Sequence, residues 1–226
     1  IPLAFVCAIV YGWLIERLFF ERLVGESVFS MVMVTIGLVI LIRGIVLVVW
    51  GPADRSFPVL LPPAPLIVGD MIFPSNLVIG ACLTLVVTLG MSWFFNRTRS
   101  GLTLTAVAEE PTTAISLGIS VKRAVTLAWM MGSVIATAGA IVLLTGRSIT
   151  VQTADVALAA LPVALLAGLE SIGGLILAGA IVGIVQALVA AYIDPAIGGA
   201  ASSIVPFVFM LLILLVRPTG LFGWRH

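Results

Sequence analysis

The sequence predicts an all-α, polytopic transmembrane helix bundle of about seven membrane segments, one of them short, kinked or re-entrant. Three observations carry this. Hydrophobic residues make up 62% of the chain and charged residues 9%, where a soluble domain carries roughly a quarter charged. The charges gather between apolar runs, most of which are long enough to cross about 30 Å of hydrocarbon at 1.5 Å per helical residue. Cations also sort strongly to alternate loops.

The runs, in order, are residues 1–15, 27–50, 75–95, 124–145, 156–169, 173–193 and 201–216. The fifth is short and contains Pro162, which removes a helical hydrogen bond and favours a kink or a break. Seven crossings place Arg17, Arg22, Arg97, Arg99, Lys122, Arg123, Arg217 and Arg225 on one face, against Arg55 and Arg147 on the other. Such a bias marks the cytoplasmic side. If residues 156–169 re-enter instead of crossing, the later spans invert and Arg217 and Arg225 move outside. The chain opens at Ile1 inside an apolar run and without methionine, so it reads as a fragment lacking N-terminal spans.

Between the third and fourth runs lies a polar island, residues 96–123, with cations at its ends and a nearly neutral centre. Residues 103–116 read as helical, Pro111 suits the first turn of a second short helix, and Gly118 is a stop signal. A solvated loop is usually richer in charge. The small, mildly apolar centre suits a surface helix seated in another protein's groove. On the opposite face residues 51–74 carry Pro52, Pro58, Pro62, Pro63, Pro65 and Pro74, which predicts stiff, irregular, extended chain. It serves either as a rigid connector or as a docking surface. Gly168, Gly173, Gly174, Gly179 and Gly183 imply close helix packing.

Several function classes are excluded. The only histidine is His226, which removes zinc-protease and serine–histidine chemistry. Asp70 and Asp194 fall at span ends beside prolines and read as interfacial, not as an aspartyl dyad. No phosphate loop of the GxxxxGK[ST] type occurs, so the chain does not bind ATP by a P-loop and any energy source is another subunit or an ion gradient. Cys7 and Cys82 lie in apolar runs and read as small hydrophobes. No metal, cofactor or nucleic-acid site is expected. Arg43 is the one charge well inside a long run. It either snorkels or pairs within the bundle, or it touches a transported solute. Glu170 and Ser171, where the kinked run meets the next, are either a hydrated turn or a pathway group.

The run Gly101-Leu-Thr-Leu-Thr-Ala-Val-Ala-Glu-Glu-Pro-Thr-Thr-Ala-Ile-Ser-Leu-Gly-Ile119 resembles the coupling segment of permeases from branched-chain amino-acid type ATP-binding-cassette (ABC) importers. Residues 35–51, the stretch Gly168-Leu-Glu-Ser-Ile-Gly-Gly174 and the ending Arg217-Pro-Thr-Gly-Leu-Phe-Gly223 resemble further motifs of that family, in the same order. Leu102 and Thr105 stand where members often carry arginine, Gly173 where proline is usual, and Glu170 where aspartate is frequent. The resemblance implies one transmembrane permease domain, residues 1–226, in a bacterial inner membrane with its C-terminus cytoplasmic. A second homologous permease subunit, identical or not, two ABC ATPase subunits and an extracytoplasmic solute-binding protein are the implied partners beside the lipid bilayer. By the same resemblance Gly101, Ala108, Glu109, Glu110 and Gly118 belong to the ATPase contact, and Arg43, Glu170 and Ser171 lie near the translocation path. Branched-chain amino acids, urea-like amides and other small polar solutes all remain open as cargo. The rival from another class is an ion-coupled secondary transporter or channel, against which the shortage of mid-membrane ionisable groups counts. A membrane anchor without a pathway would leave the neutral island unexplained.

Overall fold

The computed structural model describes residues 1–23, 28–59, 66–68, 71–150, 153, 155–168 and 172–216. Among them, five helical stretches are long and apolar enough to span a bilayer: Pro2–Leu23, Phe29–Trp50, Leu77–Arg97, Val121–Leu144 and Gly173–Tyr192. The other two expected segments are shorter helices, of 13 residues (Asp155–Ala167) and 12 residues (Val205–Val216). At 1.5 Å per residue these reach only about 20 Å.

In chain order the helices are α1 (Pro2–Ile15), α2 (Val28–Trp50), α3 (Ser75–Arg97), α4 (Arg99–Glu109), α5 (Pro111–Ser116), α6 (Val121–Leu144), α7 (Asp155–Ala167), α8 (Ile172–Tyr192), α9 (Asp194–Ile197) and α10 (Val205–Val216). α1 continues through a π-helical segment, Glu16–Phe20, and a 3-10 turn, Glu21–Leu23, which carries the first span past its first charges. Polar side chains inside the spans are satisfied locally. Thr35, Thr84, Thr88, Ser133 and Thr137 each donate to the carbonyl four residues earlier, so their hydroxyls demand no partner from lipid.

Two compact units form, Ile1–Val151 and Gln152–His226. In the first, α1 lies against α6 at backbone contact. A Cβ on Gly12 would meet Ser133 Oγ at 2.5 Å and the Trp129 carbonyl oxygen at 2.7 Å, the close approach that small residues allow between membrane helices. About two turns on, the rings of Phe20 and Trp129 lie 4.4 Å apart, and Lys122 pairs with Glu21. In the second unit α7, α8 and α10 pack around Leu166, Ala167, Ala178, Val182 and Val205. Pro162 is buried inside α7, whose helical assignment continues through it. Of the kink or break expected there, a break does not occur, and α7 ends at Gly168, in left-handed backbone with φ 75°.

The proline-rich stretch is not wholly irregular, contrary to expectation. β1 (Arg55–Ser56) pairs antiparallel with β4 (Ser148–Ile149), Arg55 opposite Ile149 and Ser56 opposite Ser148. β2 (Leu66–Val68) pairs antiparallel with β3 (Met71–Phe73). The physical reason lies in where the prolines stand. All of them fall outside the paired residues, so no ladder position lacks its donor. The β1–β4 pairing also has a consequence for topology. It brings the chain just after α2 and the chain just after α6 to one face, so α3 and α6 make a there-and-back pair with α4 and α5 at its far end.

Candidate functional site

That far end is built from α4 and α5 folded onto the ends of α3 and α6. Thr98 makes the corner. Its backbone leaves the helical region, and its hydroxyl accepts from the Gly101 N–H at 3.0 Å while donating to the Phe94 carbonyl at 2.7 Å. One residue thus caps α4 and closes α3. Gly101 fits where nothing larger does, since a Cβ there would lie 2.2 Å from the Phe94 carbonyl oxygen and 2.6 Å from the Phe95 Cα.

From this corner α4 turns one face inward. Gly101, Leu104 and Val107, at helical spacing, are buried, and Leu104 and Val107 join Ala114 of α5 and Ala124 of α6 in a core flanked by Phe94, Phe95, Ile119, Leu127 and Met131. α4 ends at Glu110, whose backbone (φ −147°, ψ 88°) is not helical. Pro111 starts α5, in a position where its missing N–H costs nothing. The Glu110 carboxylate accepts from the Thr112 hydroxyl at 2.6 Å. Gly118 (φ 78°) ends α5, its N–H donating to the Ile115 carbonyl and that of Ile119 to the Ala114 carbonyl, both at 2.9 Å. This paired arrangement satisfies the last carbonyls of a helix that reverses. Ser120 then caps α6, accepting from the Arg123 N–H.

The outward face is apolar at three points, Leu102 (55% exposed), Ile115 (60%) and Leu117 (74%). Ala108, Glu109, Glu110 and Gly118 share that exposure. Of the five residues expected at a partner contact, four are therefore available and Gly101 is buried as the hinge of the corner. Arg43 lies apart from them, half buried on α2. Glu170 and Ser171 lie outside the described residues.

Sequence reasoning missed the contact between α1 and α6. Glu16 falls in the charged stretch between the first two apolar runs, yet it is 2% exposed, and its Oε1 has no hydrogen-bond partner. Gly12, Glu16 and Phe20 recur at four-residue intervals, and that period is the signal from which a buried face could have been found. Among the described residues no three His, Cys, Asp or Glu side chains converge to hold a metal.

Residues 1–214 match the family model described as branched-chain amino acid transport system / permease component. The high-affinity branched-chain amino acid transport system permease protein LivH of Escherichia coli is 28% identical, over 97% of this chain and 72% of its own length. LivH of Salmonella typhimurium is 27% identical over the same shares. BraD of Pseudomonas aeruginosa, a permease protein of the same description, is 26% identical over 97% of this chain and 74% of its own. No solved structure gives a significant match.

Proposed function

The chain belongs to the permease-component family of branched-chain amino acid transport systems, and from that premise we propose that it is the membrane subunit through which an ABC importer moves such amino acids, or similar small polar solutes, across a bacterial inner membrane. It pairs with a second homologous permease subunit. ABC ATPases bind on the cytoplasmic side and a solute-binding protein delivers cargo from outside. The cation bias supports a cytoplasmic α4 and α5, and a topology in which the two shorter helices also cross would carry the C-terminus to the same side.

The observation that carries this is the α4–α5 corner. Its inner face is fused to both α3 and α6 through the Leu104, Val107, Ala114 and Ala124 core, while its outer face presents Leu102, Ile115 and Leu117 beside Glu109 and Glu110. Apolar anchors ringed by polar groups suit a helix held in a partner's groove. A push on that outer face reaches two spanning helices without slack, because the corner at Gly101 has no free volume. Movement of the ATPases on binding ATP is thereby converted into movement of α3 and α6. Arg43, Glu170 and Ser171 are the proposed groups along the path.

The test is reconstitution of the full-length protein with its ATPase and binding protein in vesicles. Uptake of leucine, isoleucine or valine that requires ATP is the expected result. Uptake driven by a proton or sodium gradient without ATP overturns the proposal.

A further inference from the structure

A second feature of the first unit lies at the opposite end of the same helix pair. The first two turns of α3 and the last turns of α6 leave a groove of about 310 Å³ between them, lined by Leu77, Gly80, Thr84, Gly139, Val142 and Arg147 among others. That volume is at the lower end of the roughly 300–1,000 Å³ typical of small-molecule sites. Its walls are apolar in effect as well as in composition, because the Thr84 hydroxyl is spent on the Gly80 carbonyl of its own helix at 2.8 Å. Among the described residues no carboxylate lines it.

Arg147 is its one charged residue. Arg147 stands three residues beyond the end of α6, a helix long and apolar enough to span a bilayer, so a long cationic side chain there can reach the lipid headgroup region. Its backbone is pinned on both sides: the N–H donates to the Leu144 carbonyl, and the carbonyl accepts from the Phe57 N–H, each at 2.9 Å. Gly146 (φ 69°) makes the reversal that places it there. Among the described residues no carboxylate is paired with Arg147.

The ligand this selects has an anionic head, an apolar tail and no ammonium that needs a carboxylate inside the site. We propose that the groove binds an acidic phospholipid, the acyl chain lying between α3 and α6 and the phosphate on Arg147. A free amino acid fits worse, since its ammonium would enter next to a guanidinium, with no acidic group among the described lining residues. Guanidinium–phosphate contact is strong and directional. The assignment requires only that α3 and α6 be in a bilayer. On the topology proposed above the leaflet is the outer one.

Native mass spectrometry of the full-length protein in detergent, titrated with phosphatidylglycerol or phosphatidylcholine, tests it. Wild type should bind phosphatidylglycerol more tightly, and Arg147→Gln should lose that preference and bind it about tenfold more weakly, as for loss of one charged hydrogen-bonding group. Arg147→Lys should keep part of the preference. Gly139→Leu fills the groove from its apolar side, where a Cβ meets nothing within 4 Å, and should weaken both lipids alike while leaving the melting temperature intact. Equal phosphatidylglycerol binding by wild type and Arg147→Gln overturns the proposal. So does unchanged lipid binding in Gly139→Leu, or displacement of the lipid by leucine or inorganic phosphate alone. Failure of ATP-driven uptake, by contrast, bears on the transport proposal and leaves this one standing.

Discussion

Gly101→Ala adds a single methyl group, and the structure says where it must go. The new Cβ would lie 2.2 Å from the Phe94 carbonyl oxygen and 2.6 Å from the Phe95 Cα. Both are backbone atoms of a helix, so neither neighbour can swing aside as a side chain would. To restore ordinary contact α4 has to back away from α3 by about 1 Å, an overpacking that costs roughly 1–3 kcal/mol. The shift pulls Leu104 and Val107 out of register with Ala114 and Ala124 and loosens the Thr98 cap, itself worth about 1 kcal/mol. The spans are untouched, so membrane insertion should be normal while the corner transmits badly. In vesicles holding the ATPase and binding protein, ATP hydrolysis should persist while leucine uptake falls at least about fivefold, as a loss of 1 kcal/mol or more in coupling would give. A detergent-solubilised melt should drop as well. Wild-type uptake together with a wild-type melting temperature would refute the close approach and the rigid-corner mechanism with it.

Other expectations concern charge. Glu109→Arg reverses an exposed charge beside Ala108 and Glu110 and should reduce ATPase co-purification without lowering the melting temperature; unchanged co-purification removes Glu109 from the contact. The Glu21–Lys122 pair is partly solvated, its side chains 29% and 62% exposed, so a double-mutant cycle with Glu21→Gln and Lys122→Met should give only a small coupling that falls with salt; a large, salt-independent coupling contradicts this. At the end of α8, the Ser202 hydroxyl (2.6 Å) and backbone N–H (3.0 Å) hold the Asp194 carboxyl below the usual carboxylate range. A lowered folded pKa means that its contribution is complete above the ordinary carboxylate pKa and is lost as pH falls through the folded value. Hydrogen exchange over residues 194–204 should therefore quicken only in acid, and Ser202→Ala should move that onset to higher pH; an unmoved onset contradicts the role of Ser202.

Much of this architecture is legible in the chain because lipid leaves little choice. Apolar length and cation placement mark the spans; α3, for instance, starts at Ser75 as expected. The two island helices were legible too, from Pro111 and Gly118, whose backbone constraints are local. Edges were less so. α6 starts at Val121 rather than at residue 124, because Ser120 caps it and Lys122 and Arg123 sit in its first turn instead of in a loop. What could not be read depends on contacts distant in sequence. The burial of Glu16 needs α6, the indispensability of Gly101 needs the α3–α4 angle, and β1 finds β4 across the whole α3–α6 stretch. Pro162 is a different case: its local signal allows a kink or a break, and with α7 packed against α8 and α10 the helix is not broken there.

The β1–β4 ladder constrains how the protein is made. Arg55 leaves the insertion machinery long before its partner Ile149 exists, so β1 must wait unpaired until α6 has emerged. If α3 or α6 fails to cross, the two strands end on opposite sides of the hydrocarbon, about 30 Å apart, and cannot meet. This short ladder can therefore close only in chains whose α3 and α6 have both crossed.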